Sequence, residues 1–299
     1  RKHTRYLISQ KKGINQLIIA SLFKLMSQRR KQQVESQFYK IKACFDSAVV
    51  HTLETKLKEP LEEFGCATDA VRYILIAGGY GKDGTAQSSA HMLEIRNKDT
   101  IARRPLPNMN CKRGGCVAHY LGGQQFIVIG GYDGKSELDS AEVWTGEAWM
   151  VHSQKMNSPR AGHASTLCGD DLYVFGGMNR TDGESLPSLA KTVRNDDKPS
   201  STEPNGWKPA TAQRHRTHGS FVLASVGDKI FHLGGTTRNK RNDGRQVYRY
   251  NRATNGWREV SHKMIQRRTY GHAAISIGSF VLVMGGADGF PGCLGNMEL

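Results

Sequence analysis

The chain has 299 residues, with 42 Lys or Arg against 27 Asp or Glu, and 38% of its residues are hydrophobic. Six cysteines in this length exclude a disulfide-dense scaffold and favour a reducing, cytoplasmic location. The longest apolar stretch near the start, 17–26, is broken by Ser21 and Lys24 and is shorter than the ~18 residues that a membrane span needs. No membrane span is predicted.

Residues 1–64 are predicted to form a basic amphipathic helical segment, followed by a linker at 65–70. Apolar residues recur there at helical intervals, as in Val34, Phe38, Ile41 and Phe45. These helices either pack on each other and on the rest of the chain, or self-associate as a coiled coil through residues 14–58, forming a homo-oligomer.

Positive charge is concentrated at the start of the chain. Residues 1–45 contain eleven Lys or Arg and one acid, Glu35. No aromatic ladder and no nucleic-acid motif accompany these charges, so a solvated helix face is favoured over a nucleic-acid site.

Five Gly-Gly pairs, called doublets below, recur 46 to 58 residues apart. They are Gly78-Gly79, Gly130-Gly131, Gly176-Gly177, Gly234-Gly235 and Gly285-Gly286. Each follows a short apolar run that is too short for a helix and rich in β-branched and aromatic residues. A repeat of about fifty residues is typical of a four-stranded propeller blade.

The residues around the doublets repeat as well. A basic residue and a histidine precede two of them, as in Arg160-Ala161-Gly162-His163, and Tyr250 and Trp257 follow the fourth. On these marks residues 71–299 resemble the Kelch-repeat β-propeller family, whose repeat carries a glycine doublet, a Tyr and a Trp at this spacing. The resemblance implies an all-β propeller of four-stranded blades, preceded by the helical segment.

The repeat count predicts four complete blades and a partial fifth that stops at Leu299. Family members usually close a ring of six or seven blades, so an open or incomplete ring is expected, with the missing blades beyond Leu299. No good strand precedes Tyr73, and the resemblance implies that its outer partner comes from the C-terminal end.

Large aromatic residues are predicted to fill the space between blades. Those assigned this structural role, together with the doublets, are Trp149, Trp207, Tyr250 and Trp257. Three repeats depart from the pattern: no Trp follows Ile95, no Tyr precedes Trp207, and Trp144 stands where a Tyr is expected. These blades are expected to pack less regularly.

The resembled family includes copper oxidases and iron-dependent lyases, so the histidines are candidate ligands. His119, His163 and His272 recur at equivalent positions of their repeats, near strand starts, as structural residues would. The singular His215, His218 and His232 lack a carboxylate or thiolate partner in the sequence. No catalytic residue, metal or cofactor is therefore predicted, and a metal-dependent propeller enzyme is kept as an alternative.

In Kelch-like propellers the loops after the doublets and the connections between blades form one binding face. Here these loops vary in length and charge. Partner-binding candidates on them are Tyr132, Asp133, Asn179, Arg180, Arg238, Lys240 and Arg241. The three charges at 238–241 favour an acidic protein partner. Asn179 also opens an Asn-x-Thr sequon, which is expected in an exposed loop.

The sequence therefore predicts a non-catalytic protein-interaction module, acting as a scaffold or adaptor. Many Kelch proteins are substrate-recognition adaptors of ubiquitin ligases, and this is a second alternative. Residues 1–70 do not resemble the BTB and BACK domains that usually recruit the ligase.

Overall fold

A computed structural model describes residues 61–69, 72–97, 100–179, 188–192, 207–210, 220–235, 244–254, 256–288 and 297–298. Within these residues nineteen β-strands form five antiparallel sheets, numbered here as blades I to V. The described part of the chain contains no helix. The all-β fold class is confirmed.

Blades I and II are four-stranded. Blade I consists of β1 (Gly65–Thr68), β2 (Tyr73–Ala77), β3 (Ala90–Asn97) and β4 (Thr100–Leu106). Blade II consists of β5 (Val117–Gly122), β6 (Gln125–Ile129), β7 (Ala141–Trp144) and β8 (Trp149–Val151). In both, the strands lie side by side in chain order.

Blades III and IV repeat this order, and blade V shows three strands. Blade III consists of β9 (Ala164–Cys168), β10 (Asp171–Phe175), β11 (Ser188–Thr192) and β12 (Lys208–Ala210). Blade IV consists of β13 (Val222–Val226), β14 (Lys229–Leu233), β15 (Val247–Asn251) and β16 (Gly256–Glu259). Blade V consists of β17 (Tyr270–Ile277), β18 (Phe280–Ala287) and β19 (Met297–Glu298).

The first strands of successive blades lie against one another. Strand β1 contacts β5, β5 contacts β9, β9 contacts β13, and β13 contacts β17. The first strand is therefore the inner strand of each blade. The doublets follow the second strand in blades I to IV and lie inside β18 in blade V.

The apolar runs before the doublets are buried strands, as predicted. In β6 and β10 the last four residues of each strand are buried. All ten doublet glycines have φ between 62° and 97°. Side chains other than glycine rarely adopt this left-handed region, so the turn after the second strand requires both glycines.

The hydrophobic core lies between blades, and each cluster of buried residues joins two neighbouring blades. Leu75 and Met92 of blade I pack with Phe126 and Trp144 of blade II. Trp207 lies in the cluster shared by blades II and III. At these positions large aromatic side chains are buried between two neighbouring blades.

One aromatic pair occupies the same place in two blades. Trp144 pairs with Trp149 across strands β7 and β8, with ring centroids 5.6 Å apart. Tyr250 pairs with Trp257 across β15 and β16 at 5.2 Å. Trp144 thus replaces the expected tyrosine without changing the packing.

The two other complete blades lack this pair. In blade I the equivalent positions hold Leu93 and Arg103, and in blade III the strand register places Lys191 where the tyrosine would be. Two of the three departures seen in the sequence therefore fall in blades that lack this pair, whereas blade II, with Trp144, keeps it.

The prediction that residues 65–70 form a linker is wrong for the first four of these residues. Gly65–Thr68, assigned to a linker, forms strand β1 and pairs with β2 in antiparallel register from Gly65↔Ala77 to Thr68↔Ile74. Blade I therefore takes its first strand from the residues just before it. The strand is hard to recognise because its four residues include glycine and alanine and no long apolar side chain.

The helical prediction for residues 1–60 lies outside the described residues. Within the described ranges there is no helix with the length and apolarity that crossing a membrane requires. Four cysteines that the structure describes, Cys66, Cys111, Cys116 and Cys168, are free thiols. Cys111 and Cys116, which are close in sequence, are thus not bridged.

Candidate functional site

The doublets, the loops after them and the segments joining successive blades meet at one end of the blades, called the doublet face below. Backbone hydrogen bonds connect the two kinds of loop. Tyr132 pairs with Gly114, and Met178 pairs with Ala161, as isolated antiparallel bridges. The predicted clustering of these loops on one face is therefore present in the described residues.

Three fully buried arginines hold this face together. Arg113, Arg160 and Arg268 stand in the segments that enter blades II, III and V, and none of them is exposed to solvent. The carbonyl oxygen of each accepts a hydrogen bond from the second glycine of the doublet in the preceding blade. The donors are Gly79 N, Gly131 N and Gly235 N, at 2.8, 2.9 and 2.9 Å.

The side chain of each arginine reaches the doublet of its own blade. Arg113 Nη1 donates to Gly130 O at 2.9 Å, and Arg160 Nη1 donates to Gly176 O at 2.7 Å. Arg268 Nη1 donates to Gly285 O in the same way. Each arginine therefore ties two consecutive doublets together, a connection called the arginine joint below.

A buried acid completes the joint in blade II. Glu142 Oε1 lies 3.1 Å from Arg113 Nε, and neither side chain is exposed. The same carboxylate accepts hydrogen bonds from the backbone N–H groups of Asn110 at 2.7 Å and Cys111 at 3.0 Å. Glu142 thus fixes the segment between blades I and II.

In blade III, burial lowers the pKa of Arg160 to about 10, which still leaves it charged at neutral pH.

The first glycine of each of the first four doublets lies against one particular residue of the next blade. These residues are Cys116, His163, Phe221 and His272. A Cβ on Gly130 would lie 2.6 Å from His163 Cε1 and 2.8 Å from Arg160 O. The joint therefore requires glycine for lack of space as well as for its φ.

This position corrects the predicted equivalence of the histidines. His163 and His272 do occupy equivalent places, and His272 Nε2 contacts Leu233 O at 2.9 Å. The residue of blade II at that place is Cys116, whereas His119 lies further along β5 with Nε2 2.6 Å from Ser165 Oγ. Burial lowers the pKa of His119 to about 4 and that of His163 to about 3. Both rings are therefore neutral at pH 7.

The residue just before each of these four contact residues has a left-handed backbone, and so does Glu63, which stands at the corresponding place before Phe64 in blade I. The five residues are Glu63, Gly115, Gly162, Ser220 and Gly271, with φ between 48° and 69°. Gly115 N donates to Glu63 O at 3.0 Å, and Gly162 N donates to Gly115 O at 2.9 Å. These bonds link blades I, II and III next to their inner strands, so the doublet face has a fixed backbone.

The residues that directly follow the doublets are part of this fixed backbone. Tyr80, Tyr132 and Met178 come directly after the first three doublets, and each pairs with the segment that enters a first strand. Tyr80 and Tyr132 are partly exposed, and Met178 is 61% exposed. Aromatic residues and methionine are enriched at protein interfaces. These three positions are the described residues of the doublet face best suited to contact a partner.

The structure describes three of the seven predicted partner-binding residues. Tyr132 is partly exposed, as described. Asp133 accepts hydrogen bonds from Lys135 N at 2.6 Å and Ser136 N at 2.8 Å, which lower its pKa and fix the turn after the second doublet. Asn179 is only 8% exposed, contrary to the exposed position expected for its sequon. Arg180, Arg238, Lys240 and Arg241 lie outside the described residues.

Two further observations bear on the alternative of a metal enzyme. Among the described residues, no group of three or more His, Cys, Asp or Glu is placed to hold a metal ion. His232, one of the singular histidines, is buried and stacks on Phe221 with centroids 4.1 Å apart, while His215 and His218 lie outside the described ranges.

Comparison with known families decides what this repeat is. Residues 64–286 match the family model described as the KLHDC2/KLHL20/DRC7 Kelch-repeats domain. The chain belongs to the Kelch-repeat family. The match begins at Phe64, directly before β1, and so includes this inner strand, which the sequence predicts as part of a linker.

Individual relatives also carry Kelch repeats. F-box/kelch-repeat protein At1g80440 of Arabidopsis thaliana is 40% identical over 123 residues, which cover 38% of this chain and 33% of that protein. Kelch-like protein 36 of Rattus norvegicus is 29% identical over 143 residues, which cover 48% of this chain and 21% of that protein. The chain therefore spans a third or less of the length of these relatives.

Proposed function

We propose that this Kelch-repeat chain is a non-catalytic protein-interaction module that binds its partner through the doublet face. The observation that carries the proposal is the placement of Tyr80, Tyr132 and Met178 at equivalent positions on a backbone fixed by the arginine joints. A rigid scaffold with exposed aromatic and thioether side chains loses little conformational entropy when a partner binds.

The partner is an acidic segment of another protein. Arg180, Arg238, Lys240 and Arg241 all come from loops that follow doublets, as Tyr132 and Met178 do. Arginine donates paired hydrogen bonds to carboxylates, which suits it to acidic side chains. Apolar contacts would come from the tyrosines and Met178, and charge contacts from the basic loops.

Selection from a random peptide library tests this proposal. The 299-residue chain is immobilised, and the enriched peptides are expected to carry an excess of Asp and Glu. Reversing the charges at Arg238, Lys240 and Arg241 to Glu is expected to weaken these peptides by about tenfold or more. Arg258→Glu, at an exposed position on the outer strand β16 of blade IV, is the control for charge reversal alone.

A matched pair of variants tests the apolar part of the surface. Met178 on the doublet face and Met150 on the outer strand of blade II are both 61% exposed. Met178→Ala is expected to weaken the selected peptides several-fold, and Met150→Ala is expected to leave them unchanged. Equal effects of the two variants, or peptides with no acidic excess, would count against the doublet face.

A second candidate function is that of a substrate-recognition adaptor of a ubiquitin ligase. Two relatives from Arabidopsis thaliana, 40% and 36% identical over their matched parts, are named F-box/kelch-repeat proteins. If this function holds, purified ligase subunits bind the 299-residue chain and lose binding when residues 1–60 are deleted, which leaves Glu62 and Glu63 in place on the doublet face. Binding that survives the deletion would show that the ligase subunits contact the repeats, and it would contradict recruitment of the ligase through the N-terminal segment.

Self-association through residues 14–58 and the cytoplasmic location stay predictions. Sedimentation velocity of the 299-residue chain at several concentrations measures the first. A single monomeric species at every concentration would contradict it.

A further inference from the structure

The outer strand of blade II, β8, is the last strand of its sheet. In the part of the chain that the structure describes, no further strand pairs with its outer side. Such an edge presents a row of backbone N–H and C=O groups, and this row can pair with a strand of another chain. Proteins usually prevent that pairing by placing charged side chains or proline on the edge.

The strand register identifies the positions in the other complete blades that correspond to Met150 and Val151 of β8. The equivalents of Met150 are basic in all three blades: Arg104, Lys208 and Arg258. The equivalents of Val151 are proline or an acid: Pro105, Pro209 and Glu259. Proline has no N–H group, and a charge resists burial against another strand. Of the four complete blades, blade II alone lacks this protection.

Both unprotected side chains of β8 are open to solvent. Met150 is 61% exposed and Val151 is 59% exposed. They lie on opposite faces of the sheet, because successive side chains of a strand alternate. A strand added to the edge of β8 would therefore contact an apolar side chain on each face.

The hydrogen bonds to β7 show which backbone groups of β8 point outward. His152 N donates to Ala141 O at 2.9 Å. In an antiparallel pair, residues that bond the neighbouring strand alternate with residues that do not. Met150, two positions before His152, is therefore bonded to β7. The N–H and C=O groups of Trp149 and Val151 point away from β7, toward the edge.

This edge is complementary to itself. When two copies of β8 run antiparallel about a twofold axis at Met150, Trp149 of each copy lies opposite Val151 of the other. Both residues have outward backbone groups, so each such pair exchanges two hydrogen bonds. Met150 then lies opposite Met150 of the second copy, where opposed Cα atoms are about 4.5 Å apart and the side chains touch.

We propose that β8 is a homodimer contact, in which a second copy of this chain adds its own β8 to the edge of blade II. A second copy is the favoured occupant because β8 is the one outer strand of the four complete blades that a copy can offer without bringing a charge or a proline to these positions. The nearest charged residue, Glu147, comes opposite Ser153 in this register, so like charges do not oppose each other. The contact is separate from the doublet face and from residues 14–58.

Sedimentation equilibrium of the 299-residue chain tests this proposal. Because the paired strands are short, the dimer is expected to have a dissociation constant on the order of 100 µM. Met150→Lys is expected to weaken it by about tenfold or more, since it places like charges opposite each other. Gln125→Lys, at the exposed start of β6 in the same blade, adds the same charge away from the edge and is expected to dimerise as the original chain does.

A mixture of two variants tests the symmetric register itself. Met150→Glu alone is expected to weaken the dimer as Met150→Lys does, whereas an equal mixture of the two is expected to recover it, because opposite charges then face each other. The proposal is overturned if the original chain stays monomeric at about 0.5 mM. It is also overturned if Met150→Lys and Gln125→Lys associate equally, as they would if residues 14–58 held the copies together. A mixture that associates no better than either variant alone would overturn it as well.

Discussion

Replacing Glu142 by Gln tests the arginine joint between blades I and II. Glu142 and Arg113 are both fully buried and 3.1 Å apart. Glutamine has nearly the same shape, but it has no negative charge. Its NH2 group replaces one carboxylate oxygen and cannot accept the two hydrogen bonds that this oxygen receives. One such pair of donors is Asn110 N and Asn110 Nδ2, at 2.7 and 2.9 Å from Oε2.

The expected cost is large because the arginine stays behind. Removing one partner of a buried ion pair costs about 3–5 kcal/mol, since the other charge is left without compensation. Two orphaned buried donors would by themselves cost about 1–3 kcal/mol each. These terms overlap, so the free energy of unfolding is expected to fall by about 3–5 kcal/mol.

Urea unfolding followed by tryptophan fluorescence measures this change, because Trp144 and Trp149 lie in the same blade as Glu142. Asp139→Asn is the matched control, since it neutralises an acid of the same blade that pairs with Lys155 at 3.5 Å on the surface. Exposed pairs contribute about 0–1 kcal/mol. If Glu142→Gln cost no more than Asp139→Asn, the charge of Glu142 would not support the joint, and the reasoning would be refuted.

Three further predictions concern the contacts between blades. Gly130→Ala is expected to lower the free energy of unfolding, measured in urea, by about 2 kcal/mol or more, because the new Cβ adds strain at positive φ and collides with the next blade. Gly169 also has a positive φ, but a Cβ there meets nothing within 4 Å, so Gly169→Ala should cost about 1 kcal/mol. Because the folded-state pKa of His163, about 3, lies below the unfolded value of about 6.5, its stabilising contribution is complete above pH 6.5 and is lost as the pH falls. Blade IV has phenylalanine at this position, so His163→Phe is the test variant. Between pH 7 and about pH 4.5, its free energy of unfolding is expected to fall by about 2 kcal/mol less than that of the original chain. An equal fall in both proteins would exclude His163 as the titrating group. Trp149→Phe removes the hydrogen bond from Nε1 to Pro107 O at 2.9 Å and should lower the unfolding free energy by about 1 kcal/mol; no change would mean that this bond does not hold the segment after blade I.

Much of the fold could be predicted because the turn after each second strand needs two residues with positive φ, and this need appears in the sequence as a glycine doublet. A pair of residues with positive φ after a buried strand can hardly be anything but glycine, so the sequence shows it five times. The aromatic pairs were visible for a similar reason, since Trp144 and Trp149 fill a large space between blades that few side chains can fill.

Other features depend on partners that the sequence does not place. Strand β1 exists because β2 offers its edge to Gly65–Thr68, and the short segment has no strand pattern of its own. The left-handed series was hidden because Glu63 and Ser220 stand where three other repeats have glycine. The burial of Arg113, Arg160 and Arg268 could not be predicted, because arginine is seldom buried unless its charge is paired, and the sequence does not show that carbonyl groups of the doublets accept their hydrogen bonds.

The candidate site was predicted in position and only partly in residues. The clustering of the loops on the doublet face followed from the resemblance to Kelch repeats, and Tyr132 lies there. Tyr80 and Met178 were missed, although each directly follows a doublet in the same way as Tyr132. Equivalent positions after each doublet are the signal that could have found them.

The arginine joint is directional, and this affects how such a chain can change in length. In blade II both halves are described: the carbonyl of Arg113 accepts a hydrogen bond from Gly79 of the doublet before it, and Gly131 donates to the carbonyl of Arg160 after it. The two ends of a repeat are therefore complementary to each other, in the manner of a head-to-tail contact. Duplicating or deleting one whole repeat between two such joints would leave every remaining joint with both of its halves. Repeat number can then drift during evolution without compensating substitutions elsewhere in the chain.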